Sequence, residues 1–70
     1  MRSISGKELH RILLRHGWRE LRIQGSHLIL GKVGSIVRLS VPIHGNTALK
    51  AGLLNHLLQM AGLTDKDLQD

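Results

Sequence analysis

Apolar residues in the first part of the chain change their period at Gly17, and the change separates two kinds of element. Leu9, Ile12, Leu13 and His16 recur at helical spacing. Ser5-Gly6-Lys7-Glu8 precedes them in the form of a capping box, Ser5 accepting from the backbone of Glu8 and Glu8 reaching back to Ser5. Ile4 and Leu9 stand where a hydrophobic staple belongs, and Gly17 can close the helix. The pattern predicts a helix from about Gly6 to His16, with His10, Arg11 and Arg15 off the apolar stripe and His10 in solvent.

From Trp18 to Gln24 the period becomes two. Leu21 and Ile23 alternate with Glu20, Arg22 and Gln24, which predicts a half-buried strand with Trp18 in the core. Gly25-Ser26 is a tight turn into a second strand, His27 to Leu30, and Gly31-Lys32-Val33-Gly34 is the next turn. A third strand, Ser35 to Val41, carries Val37, Leu39 and Val41 on one face and is ended by Pro42. After a loop at Ile43-His44-Gly45-Asn46, capped by Asn46 or Thr47, a second helix is expected from Ala48 to Met60 or Ala61. Its stripe is Leu49, Leu53, Leu54, Leu57, Leu58 and Ala61; Gly52 would serve close packing on the sheet, and Gly62 closes the helix. The order is α-β-β-β-α with a short terminal turn. The expected fold class is α+β: one domain over 1–70, a three-stranded antiparallel sheet with both helices on one face.

Charge narrows the partners. The 70 residues carry a net +5, and residues 1 to 50 hold nine basic against two acidic side chains. Six of the ten cations are arginine, whose planar fork suits phosphate. So basic a body on so small a domain suggests a nucleic acid or an acidic protein partner. The absence of cysteine removes disulfides and thiolate metal sites and favours a cytoplasmic setting. No apolar run approaches the roughly 20 residues that span a bilayer, and Met1 to Ser5 has no secretory character.

The five histidines lack zinc spacing, and the chain has neither a glycine-rich phosphate loop nor a G-x-S-x-G elbow. Strand alternation offers one arrangement of interest. If Leu28 and Leu30 face the helices, His27 and Ile29 face the open side, with Arg22, Gln24 and Arg38 beside them. RNA supplies its own nucleophile, the 2′-OH, so an imidazole that titrates near neutrality among arginines has the elements of a metal-free ribonuclease. The same pattern fits a turn-flanking polar residue. His44 lies where the third strand gives way to the second helix, where a helix N-terminus suits a phosphate, or else it fixes the loop. A non-catalytic RNA-binding module and a basic domain for an acidic partner also remain open.

Ser5-Gly6-Lys7-Glu8-Leu9, Gly17-Trp18, Arg22-Ile23-Gln24-Gly25-Ser26-His27, Val41-Pro42-Ile43-His44, Leu49-Lys50-Ala51-Gly52-Leu53-Leu54 and Ala61-Gly62-Leu63 together resemble the HicA toxins of bacterial HicA–HicB toxin–antitoxin systems, the YcfA-like proteins. The resemblance implies a fold like the double-stranded RNA-binding domain and a metal-independent, cofactor-free endoribonuclease that cleaves mRNA and inhibits growth. It also implies a cognate HicB antitoxin that covers the site. The family's active histidine falls on His27, and the RNA-contacting residues expected here are Arg22, Ser26, Arg38, His44 and Lys50. Relatives commonly carry a basic residue before Gly-Ser-His, where this chain has Gln24.

Overall fold

A computed structural model describes residues 2–69. The elements are α1 (Gly6–Arg15), β1 (Trp18–Gln24), β2 (His27–Lys32), β3 (Arg38–Pro42), α2 (Ala51–Ala61) and a terminal 3₁₀ turn (Asp65–Gln69). This is the expected α-β-β-β-α order. The sheet is antiparallel in the order β1-β2-β3.

The start of α1 is built as its sequence requires. Ser5 Oγ accepts from the Glu8 amide (3.2 Å), and Glu8 Oε1 accepts from the Ser5 amide (3.3 Å). Ile4 and Leu9 are both buried beside this cap. Arg2 donates to Glu8 Oε2 (3.3 Å) and, through Nε and Nη2, to the Leu68 carbonyl (3.0 and 2.7 Å), so the cap also holds the terminal turn. The Ser5 amide, and after it the Arg2 guanidinium, holds the Glu8 carboxyl below the ordinary glutamate value of 4.5. A carboxyl lowered on folding stabilises fully above its unfolded-state pKa, and that stability is lost as pH falls through the folded-state value. The thermal midpoint is therefore expected to fall on acidification below about 4.5, and to fall less in Glu8→Gln. Equal acid sensitivity of the two proteins, followed by circular dichroism, would refute this role for the cap.

One face of the sheet packs on both helices. Leu28 stands opposite Val41, and Leu30 opposite Leu39. All four are buried in one cluster with Leu9, Ile12 and Leu13 of α1 and Leu54, Leu57 and Leu58 of α2. Each such leucine contributes about 1.5–3 kcal/mol by leaving water. Trp18 joins the cluster, as its position after Gly17 suggested. Buried there, its ring has no free face on which a base could stack.

The structure corrects several details. Leu21 and Ile23 do not form the buried half of β1; they are 46% and 67% exposed. A bulge between Glu20 and Arg22 makes Leu21 an extra residue. Its Cδ1 stands over Gly31 on the open face, where a Cβ on Gly31 would lie 2.9 Å from it. Ile23 opposes Leu28 and so faces the helices, but it borders a cleft that leaves it wet. The third strand begins at Arg38, not Ser35. Ser35 instead closes a turn, its amide donating to the Lys32 carbonyl (3.1 Å) and its Oγ accepting from Val37 (3.1 Å).

The second helix begins at Ala51, not Ala48, because the residues before it are pinned to the N-terminal segment. Ala48 bridges Ser5, and the Leu49 amide donates to the Ile4 carbonyl (2.8 Å). Asn46 and Thr47 therefore do not cap it, and Lys50 occupies the cap without a side-chain bond. Leu53, expected on the buried stripe, is 36% exposed. Gly52 is exposed with no neighbour near its missing Cβ, so it serves no packing on the sheet. Gly62 ends α2 in the left-handed conformation (φ 73°), and the Leu63 amide returns to Leu58 (2.8 Å). Among the described residues, no helix is long and apolar enough to cross a membrane.

Candidate active site

The β1–β2 hairpin sets the position of His27. Gln24 pairs with His27 across a two-residue turn, with positive φ at Gly25 (59°) and not at Ser26. Glycine at the first turn position gives the primed geometry that matches strand twist. On its other side His27 pairs with Pro42. Proline has no N–H to give, and the next amide, Ile43, donates to the Ser26 carbonyl (2.8 Å). The turn is thus tied to both neighbouring strands through backbone bonds, and Ser26 acts there through its carbonyl. His27 itself is exposed at the first position of the central strand.

Register places the expected residues on the open face. His27, Ile29 and Gly31 alternate with the buried Leu28 and Leu30. Arg22 opposes Ile29 and Gln24 opposes His27, while Ser40 and Arg38 oppose Ile29 and Gly31 from the other side. Ile29 remains only 8% exposed on this face, between its register partners.

The cations are not equally near His27. Arg22 is two residue positions along the sheet, about 7 Å at ~3.3 Å per residue, and Arg38 is four, about 13 Å. Arg38 Nη1 also donates to the carbonyls of Ser35 (3.3 Å) and Val37 (3.1 Å). By this register Arg22 stands nearer to His27 than Arg38 does.

His44 is exposed and opens a turn closed by the Thr47 amide on its carbonyl (3.1 Å). It is not at the N-terminus of α2, which starts seven positions later at Ala51. The Ile43–Ser26 bond nevertheless brings His44 to within one residue of the hairpin. Lys50 is exposed at the start of α2 and is reached through the Ser5–Ala48 bridge rather than through the sheet.

A cleft of about 360 Å³ opens between this hairpin and the first turns of α1. Gly25, Ser26 and His27 form one side, Lys7 and His10 of α1 the other, and Ile23, Leu28 and Ile43 supply apolar wall, with Glu20 also lining it. His10 is therefore not the solvated surface residue that its place off the stripe predicts. Its side chain is 25% exposed, and its Nε2 is enclosed without a hydrogen-bond partner, 3.9 Å from Glu20 Oε2. Neither His10 nor Glu20 stands out by motif. The one signal in the sequence is that Glu20 is one of two acids among the first fifty residues. His16 caps α1 beside Asp67 (4.0 Å), and His56 is exposed. Among the described residues, no three His, Asp or Glu side chains group as a metal site.

The chain matches the profile of a family described as HicA toxin of bacterial toxin–antitoxin, over residues 6–63. The match takes in α1, the whole sheet, the hairpin with His27, and α2. No curated protein matches the sequence.

Proposed function

Because this chain belongs to the HicA toxin family, we propose that it is an endoribonuclease that needs no metal and cleaves mRNA at His27. The observation that carries the reading is the exposed His27 on the central strand, held between the Gly25 turn and Pro42, with Arg22 on the same face. In the reaction the 2′-oxygen of RNA forms a bond to the adjacent phosphorus, and the bond from phosphorus to the 5′-oxygen breaks. The 2′-OH gives up a proton, the departing 5′-oxygen gains one, and His27 serves as the acid/base group. Arg22 stabilises charge on the phosphate. Arg38, His44 and Lys50 contact the strand away from the scissile bond, and Ser26 holds the loop. As a toxin of a toxin–antitoxin pair the protein has an antitoxin partner. An antitoxin with acidic surface suits a body in which nine bases face two acids over residues 1 to 50.

Incubation of purified protein with mRNA in excess chelator tests the chemistry directly. Cleavage is expected to persist, leaving 2′,3′-cyclic phosphate and 5′-hydroxyl ends. Products with 5′-phosphate ends, or cleavage that stops on chelation, would overturn the mechanism. Salt-sensitive RNA binding with no cleavage would favour a binding module instead.

A further inference from the structure

Residues 1 to 50 contain only two acidic side chains, Glu8 and Glu20. Glu8 is occupied by the helix cap and Arg2. Glu20 is not occupied in this way. Its carboxylate is half-exposed, lines the cleft beside His27, and among the described residues accepts no hydrogen bond. Glu20 opposes Leu30 and so projects on the helix side of the sheet, three positions along it from His27. A carboxylate in a cleft that His27 also lines disfavours a phosphodiester there unless it meets a group that brings donors.

We propose, building on the nuclease reading, that this cleft binds one unpaired guanine of the RNA strand and that Glu20 reads its Watson–Crick edge. The size suits a single small ligand group, since such sites run from about 300 to 1,000 Å³ and this one is about 360 Å³. Ile23, Leu28 and Ile43 give the faces of a base an aliphatic wall. Trp18, the only tryptophan in a chain without phenylalanine or tyrosine, is buried elsewhere and provides no stacking surface. His10 Nε2 stands 3.9 Å from Oε2 and backs the carboxylate from within the cleft.

An ionised carboxylate only accepts, and it presents two oxygens side by side. Guanine alone among the four RNA bases presents two adjacent donors on that edge, N1–H and the N2 amino group. Cytosine and adenine each offer one amino group, and uracil one imide. Single-stranded bases are commonly read on this edge by proteins. Glu20 is therefore a specificity residue and takes no part in proton transfer.

The test uses 2′-O-methyl pentanucleotides of uridine with a variable third base, which lack the nucleophile and stay intact. Fluorescence anisotropy at one fixed salt concentration measures binding. Guanine at the third position is expected to bind more tightly than adenine by roughly 5- to 150-fold, the range for a good bidentate contact. Inosine, which lacks only the N2 amino group, is expected to lose much of that gain. Glu20→Gln, folded by circular dichroism, is expected to remove most of it.

Equal binding of guanine, inosine and adenine by the wild type overturns the proposal without needing a variant. So does a guanine preference that survives in Glu20→Gln. The all-ribose versions separate this from the nuclease reading. Selective binding without cleavage would defeat the nuclease and leave the base site standing, whereas cleavage with no guanine preference would do the reverse.

Discussion

Replacement of His27 by alanine is expected to leave the protein folded and to reduce RNA cleavage by about 10²–10⁴-fold, the usual contribution of one acid/base group. Growth arrest on expression should disappear with it. The fold should survive because the imidazole is exposed and makes no side-chain hydrogen bond among the described residues, while the strand is held by backbone pairing to Gln24 and Pro42. Exposed substitutions of this kind usually change stability by less than about 0.5 kcal/mol. Parallel urea titrations would establish equal stability, and single-turnover cleavage would give the loss. A folded variant that cuts RNA at the wild-type rate would remove His27 from the chemistry.

Gly6→Ala is expected to destabilise the protein by about 3 kcal/mol or more, near the upper end for overpacking a well-filled site. Helix propensity predicts the opposite, since alanine is better than glycine in a helix by up to about 1 kcal/mol. The reversal comes from the far end of β3. Gly6 is buried, and a Cβ there would collide with the carbonyl oxygen of Pro42. That oxygen belongs to backbone and cannot rotate away. Pro42 is the residue opposite His27, and Ile43 after it donates to Ser26, so a shift would also disturb the hairpin. Against a typical domain stability of about 5–15 kcal/mol such a loss is large.

Gly52→Ala is the matched control, placed at an exposed position in α2 with open space around it. It should leave stability unchanged or raise it by up to about 1 kcal/mol. Urea midpoints that fall equally for both variants, or not at all for Gly6→Ala, would contradict the close approach of α1 to β3.

These two glycines show where sequence reasoning stopped. Gly6 reads as part of a capping box, and nothing local to it announces Pro42, thirty-six positions later. Gly52 sits inside an apolar stripe, which suggested packing, yet its own direction points to water. The bulge that moves Leu21 to the open face was illegible for a similar reason. It is a mismatch between two strands, and either strand alone looks regular. The start of α2 is not legible in the local pattern because Ala48 and Leu49 are held by Ser5 and Ile4, a pairing between distant segments.

For the site, alternation correctly put His27, Arg22, Gln24 and Arg38 on one face, because the period of two is a property of any strand. The distance between Arg38 and His27 depends instead on register. His10 and Glu20 became neighbours only when α1 was laid across the sheet.

By itself, the sequence determined the order of elements, the cap of α1, the closing glycines at 17 and 62, the buried stripe of α1 and most of that of α2, and the motifs that mark the family. Each of these rests on interactions within a few residues or on a repeating period. Only the tertiary structure decided which cation lies near His27, where β3 and α2 begin, why Gly6 has no side chain, and that Glu20 and His10 line a cleft at the hairpin. Those outcomes depend on how separate segments meet, and that is set by packing over the whole chain rather than by any local pattern.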